Sequence, residues 1–489
     1  MKKTIWTSLT FALALAYAQS PEMQVVNGAA EALGGKARIQ SVKTLTVEGE
    51  GTNPNIGQNP TPDAPLEIWK VTEFKRTIDL ANGRMRLQQH RVAQFAFALA
   101  TDVHQDMSVD GEVAWNTGAG GKATRVGASV AEQRRLDMLG NPVFIVRAAL
   151  NPAAKLGNLR KKDNLELVDI TTPKGVKLTL AVDGATHLPA YVEWISSSDN
   201  LGDVLNRTAF LNYETVGGIK LPKRYLSTMD FRDWTTADIQ VSKNTLDGDI
   251  GDLAAPAAVK STPAPVPPPD IVTAEPQGKG IWWMAGTGNH RSVLFEFDDH
   301  MTLFEAPDSA ERAKDVIDKA RTVVPNKPLT EVIVSHHHFD HSTGLRVVVA
   351  EGLTVITQKA NEQMFREIVA RKATLHPDEL AMNPKPLKIK TMDDTLVLKD
   401  KSMEVDLYRV KGNIHAGLLI MAWVPRDRIL VQGDLYDVGW LQHPWAVNYA
   451  ENLKMRNLDV AKDLPIHGRV QTRAEEIAQI ESVKKAKAN

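Results

Sequence analysis

The chain contains no cysteine. Disulfides, thiolate metal ligands and a lipid-modified cysteine are excluded, so any metal it binds is held by histidine and carboxylate. It also lacks a charge excess, with 58 Lys and Arg against 59 Asp and Glu. No basic surplus is available for a polyanion, and extensive nucleic-acid binding is not expected. Long apolar runs are missing too. The one candidate, Thr4 to Ala18, falls short of the roughly 20 residues that a membrane-spanning helix needs. It follows Met1-Lys2-Lys3 and ends in Ala16-Tyr17-Ala18. This pattern reads as a signal peptide over residues 1–18, cleaved after Ala18. A periplasmic or secreted protein with no remaining transmembrane segment is the expectation.

The remainder is organised in two parts. Residues 21–255 read as a mainly antiparallel β domain. A helix from Met23 to Leu33 stops at Gly34-Gly35, and alternating stretches come next at 42–49, 68–78 and 85–91. Asn82-Gly83 and Asp183-Gly184 are hairpin signals between such stretches. Ser129 and Glu132 suggest a capping box for one helix, which Pro142 interrupts. Residues 256–270 are rich in proline and read as an extended, semi-rigid linker. Residues 271–489 alternate strands with helices, the mark of an α/β layered domain. Asp308 with Glu311, and Thr472 with Glu475, suggest caps for two of its helices.

Ten of the 13 histidines lie beyond residue 271. The centre of that skew is His336-His337-His338-Phe339-Asp340-His341, which comes directly after the apolar stretch Glu331 to Ser335. Alternate residues at a strand end point the same way, so His336 and His338 can meet one cation. Asp340 and His341 come in the turn and can face a second. His337 is directed away from both. Further imidazoles and carboxylates sit at later strand ends: His415, Asp434 and His467. Imidazole mixed with carboxylate suits zinc, with iron or manganese as alternatives.

The order His-x-His-x-Asp-His, then His415, Asp434 and His467, resembles the metallo-β-lactamase superfamily over about residues 275–489. The resemblance implies an αββα sandwich with two Zn2+ at one edge. It assigns His336, His338 and His415 to the first metal and Asp340, His341 and His467 to the second, with Asp434 bridging. It further implies a hydroxide between the metals as nucleophile, with Asp340 orienting it or taking its proton. Glu305 stands where the family often has Asp, at a position that is not a ligand. Asp434 and the 22 residues after His467 point away from true β-lactamases and from glyoxalase II. The N-terminal domain loosely resembles the half-barrel of periplasmic lipoprotein carriers.

The expected activity is hydrolysis of a small-molecule ester, lactone, thioester or amide. The alternatives are a β-lactam hydrolase, and an envelope lipid-binding or ligand-binding protein with a structural metal domain. Substrate choice is expected in the loops 344–352, 373–390 and 436–450. Tyr436 is a candidate oxyanion donor, although it and its neighbours Asn413, Trp440, His443 and Trp445 fit core packing better. The metal assignment predicts that His336→Ala removes activity and lowers metal content. Full activity with unchanged metal, measured by elemental analysis beside the assay, contradicts it.

Overall fold

A computed structural model describes residues 20–98, 100–436 and 445–488. The expected signal peptide, Trp440 and His443 lie outside the described residues.

The first helix, Pro21–Leu33, starts where Ser20 accepts a hydrogen bond from the Met23 amide. It buries Val26, Ala29, Ala30 and Leu33, the three-and-four spacing of a single helical face. It ends at Gly34, whose φ of 132° suits glycine. Thirteen strands between Thr44 and Leu246 then form one sheet among the described residues. Its first strand, Thr44–Pro54, pairs antiparallel with Ile68–Asp79 on one side and with the last strand, Thr235–Leu246, on the other. The two ends of this part of the chain therefore meet at the middle of the sheet, and a meander spreads from each. Four helices, Pro21–Leu33, Lys36–Ser41, Ala128–Leu139 and Pro142–Ala149, share one apolar core with the sheet.

Three local expectations change. The helix Ala128–Leu139 is capped by Gly127 without a side-chain bond, so Ser129 is not its cap. Asp183-Gly184 opens a longer loop, between strands Lys177–Asp183 and Pro189–Ser198, in which Asp183 accepts from the Ala185 and Thr186 amides. The proline-rich linker contains a short helix, Ala257–Ser261, whose Val259 packs on Trp115 and Ala255. Proline density kept the rest of the linker extended without preventing this one turn.

Beyond the linker, two sheets stack back to back. One has seven strands from Val272–Gly278 to Lys388–Met392; the other has six from Thr395–Lys399 to Gln471–Thr472. Neighbouring residues of one strand enter different layers, as the two-residue strand period demands. Phe295, Phe304, Ile333 and Ile356 face Leu407, Ala422, Val431 and Leu464 of the opposing sheet. Leu294, Leu303, Val332 and Val355 face outward, onto the helices Ala310–Val323, Leu345–Ala350 and Glu362–Ala370. The far face of the six-stranded sheet carries the helix Trp445–Met455 and Ile480 of the terminal helix Arg473–Ala488. Helices thus cover both outer faces, an α/β layered arrangement. Two of its helix starts bear on the expected caps. Ser309, one residue after Asp308, caps Ala310–Val323, whereas Thr472 and Glu475 do bond each other's amides. No helix among the described residues is long and apolar enough to cross a membrane.

The two parts are packed together. Phe231 and Trp234 of the first share a core with Phe339 and Met284 of the second. Arg232 pairs with Glu367 at 2.7 Å and Arg371 with Asp230 at 2.9 Å. Partly exposed ion pairs contribute at most about 1 kcal/mol each, whereas a buried aromatic side chain contributes about 1.5–3 kcal/mol. The apolar contact dominates. A loop over residues 55–64 extends the join: the Gly57 carbonyl accepts from the Phe339 amide at 3.1 Å, and the Pro60 carbonyl from the Gly417 amide at 2.8 Å. Gly57 has φ +73°, and a Cβ there would lie 2.4 Å from Phe339 Cγ. Gly57→Ala is therefore expected to cost about 2 kcal/mol or more, read as a lower urea midpoint. An unchanged midpoint would show that this loop is not clamped.

Candidate metal centre

The strand Leu329–Ile333 is held between Met301–Phe304 and Thr354–Gln358. The chain leaves it extended, with the Val334 amide bonded to the Ile356 carbonyl, and turns into the short helix Phe339–Ser342 only after His338. His336 and His338 each turn a ring nitrogen into the cluster with His415 and Asp434, whereas His337 does not join it. His337 is fully buried, and its Nε2 donates to the Asn59 carbonyl at 2.8 Å. It contacts the N-terminal part rather than solvent.

The seven candidate residues come together in two groups that share Asp434. His336, His338, His415 and Asp434 place one ligand atom each within 4.8 Å of one another; so do Asp340, His341 and His467 together with His290. Asp434 faces both groups with different oxygens. Its Oδ2 lies 2.8 Å from His415 Nε2 and 3.6 Å from His336 Nε2. Its Oδ1 lies 3.0 Å from His341 Nε2 and 3.1 Å from His467 Nε2. Asp340 Oδ2 sits 3.4 Å from His341 Nε2 and 3.8 Å from His467 Nε2.

The outward nitrogens decide which inward ones are free. A carbonyl only accepts, so His338 Nε2, 2.9 Å from the Asn59 carbonyl, carries the proton and its Nδ1 lone pair turns inward. His341 Nδ1 lies 2.6 Å from Glu305 Oε2, which leaves Nε2 for the interior. Ser335 Oγ lies 2.9 Å from His336 Nδ1. Outer partners of this kind orient metal-binding imidazoles. Inside, His336 Nε2 is buried without a well-directed hydrogen bond, and Asp434 Oδ1 meets only the ring nitrogens of His341 and His467. Buried polar atoms are rarely left unsatisfied, and convergent nitrogen and carboxylate donors with no sulfur fit a divalent cation such as zinc, iron or manganese.

The electrostatics agree with a mixed cluster. Desolvation is the largest influence on His336 and takes its imidazole down to about 4. It also holds His338 well below the usual range, helped by His415. Burial would lower His341 too, but Asp434, Glu305 and Asp340 outweigh it and hold that imidazole well above its ordinary value. Burial works to raise Asp434 and Asp340, yet His341 and the other facing imidazoles keep both carboxyls well below theirs. Asp340 keeps 34% of its side chain exposed, against 5% for Asp434. Asp340 is thus the carboxylate open to a substrate.

Several participants carried no sequence signal. His290 Nε2 lies 3.4 Å from Asp340 Oδ2, and its Nδ1 lies 3.3 Å from Asp308 Oδ1. Its backbone forms a bridge with His467, which brings a lone histidine between strands into the second group. Asp308, read as a helix cap, instead faces this ring. Glu305 stands behind His341. From the N-terminal part, Gln58 Nε2 donates to Asp340 Oδ1 at 2.7 Å. Two of the three expected specificity segments lie elsewhere. Residues 345–350 form a buried helix, and neither 344–352 nor 373–390 lines the cavity at the metal centre. Of 436–450, Trp445 lines that cavity and stacks on His415 at 4.7 Å. Tyr436 is buried, stacks on Tyr449 and bonds Gln479, so it is a packing residue. Asn413 caps the His415 loop through the His415 and Ala416 amides.

No protein-family model matches the chain, and no curated protein matches it significantly. Solved structures do match part of the chain. They include the mono-zinc form of the metallo-beta-lactamase FIM-1 from Pseudomonas aeruginosa, at 15% identity over 45% of this chain and 98% of that one, TM-score 0.35. A metallo-beta-lactamase from Pontibacter korlensis matches at 14% identity over 44% and 99%, TM-score 0.33. A metal-soaked Flv1 flavodiiron core from Synechocystis matches at 15% identity over 45% and 62%, TM-score 0.36.

If His290 belongs to the second group, His290→Ala lowers the affinity of one cation about 10- to 100-fold and leaves the other unchanged. Competition with a chelating dye measures both. Two unchanged affinities would place His290 outside the centre.

Proposed function

We propose that residues 271–489 are a metal-dependent hydrolase of the metallo-β-lactamase superfamily. The observation that carries this reading is the division of Asp434 between the two imidazole groups. One cation is assigned to His336, His338 and His415. The second is assigned to Asp340, His341 and His467, with His290 beside them and Asp434 between the pair. Cations bound there supply Lewis acidity and shift the ionisation of water towards neutral pH.

The chain's own residues do the rest. Asp340 is anionic and partly exposed, and Gln58 fixes its Oδ1 at 2.7 Å. Its depressed basicity suits it to accept a hydrogen bond from the attacking water and aim it, more than to store a proton. Glu305 and the Asn59 carbonyl hold His341 and His338 in the tautomers that present their inner nitrogens. The buried walls keep bulk water from screening the charges at the reacting centre. The substrate class is a small ester, lactone, thioester or amide. The native metal is assigned as zinc, and the protein as exported on the strength of Met1-Lys2-Lys3 and the apolar run to Ala18.

A panel of nitrocefin, a lactone, a thioester and a phosphodiester, run with zinc-loaded protein, tests the reading. Turnover of a carboxylic ester or thioester is expected, and Asp340→Asn is expected to lower kcat about 100-fold or more. Zinc bound without turnover of any member overturns the assignment.

A further inference from the structure

We propose that the substrate presents an uncharged apolar group beside the scissile bond, and that the N-terminal part supplies the wall that receives it. This rests on the hydrolase reading. A cavity of about 550 Å³ opens over the metal centre, within the roughly 300–1,000 Å³ range of small-molecule sites. One end is formed by His415, Asp434, Asp340 and His467; the other by Trp69, Phe95, Phe97 and Val103. These last four all precede the linker.

The aromatic rings form a continuous path to the ligands. Trp69 meets Phe95 edge-on at 5.3 Å, Phe95 meets Phe97 at 4.6 Å, and Phe97 meets His415 edge-on at 4.7 Å. Trp445 also stacks on His415. Arg91 stacks on Trp69 at 4.5 Å and braces it. Phe97 is 5% exposed, so its ring is a fixed surface.

The charge of the lining narrows the ligand. No Lys or Arg lines this cavity among the described residues. The remaining polar lining is Asn55, Gln58 and Asn289, which are neutral, and His290, which already faces Asp308 and Asp340. A carboxylate or phosphate on the substrate finds no Lys or Arg in the lining and meets Asp340 instead. A neutral acyl chain or aromatic ring finds apolar surface beside the reacting centre. This disfavours β-lactams, which carry a carboxylate, and phosphodiesters.

Each methylene buried against such a wall strengthens binding about fourfold, the equivalent of about 0.8 kcal/mol. The test uses the full-length zinc-loaded protein and two series. Alkyl hydroxamates from acetohydroxamate to octanohydroxamate report binding by calorimetry; p-nitrophenyl esters from acetate to octanoate report turnover. Affinity is expected to rise about tenfold or more from acetohydroxamate to hexanohydroxamate, and kcat/KM to rise likewise through KM. Phe97→Ala should flatten both series without changing the zinc content, and Phe97→Leu should retain them. Should Phe97→Ala not fold, Trp69→Ala tests the outer end. A flat hydroxamate series in the unmodified protein, or tighter binding of the carboxylate-tailed succinyl hydroxamate than of its neutral analogue, overturns the proposal. A steep hydroxamate series without ester turnover supports the wall and counts against the hydrolase reading alone. Ester turnover with flat series overturns the wall alone.

Discussion

The whole arrangement depends on gathering imidazoles and carboxylates in a space nearly closed to water. His336, His338 and His341 have at most 1% of their surface exposed. Moving such groups out of water costs several kcal/mol each unless partners replace the lost solvation. The replacement is divided in two. The outer atoms are met by the chain: Glu305 behind His341, Ser335 behind His336, the Asn59 carbonyl behind His338. The inner atoms are met by each other only in part, which leaves the place a cation would fill. Side-chain orientation, tautomer and metal fit are therefore one problem with one solution.

That division explains why the N-terminal part is not an appendage. The fixing carbonyl of Asn59 and the amide of Gln58 both come from the 55–64 loop, and the loop is seated by the backbone bonds of Gly57 and Pro60. An imidazole run at a strand end can be built within a single α/β unit. Here its orientation is completed by a second unit nearly 280 residues earlier in sequence. The same join that buries Phe231 and Trp234 brings Phe97 against His415.

The sequence was informative where the chemistry is dense and local. The run from His336 to His341 is compact, and the strand period alone separates His336 and His338 from His337. Asp434 and His467 were legible through their order and their places at strand ends. His290 was not, because a single histidine between strands looks the same whether or not a β-bridge delivers it to a site. The role of Asn59 could not be read at all, since a backbone carbonyl has no residue signature. Helix caps were displaced by a single residue or two, at Gly127 and Ser309, because a serine or aspartate near a helix start can also bond elsewhere. Two of the specificity segments, 344–352 and 373–390, were misplaced for a larger reason: much of the cavity wall comes from the other part of the chain, and linear distance hides it.

The pairing of Thr44–Pro54 with Thr235–Leu246 has a consequence for the order of assembly. A sheet whose central strands are its first and last cannot close until nearly 250 residues have been made, and such long-range pairing is slow to form. The loop that braces His338 leaves directly from that first strand. The imidazole run and its brace therefore belong to different pairings, one within the later part and one closed across the whole of the earlier part.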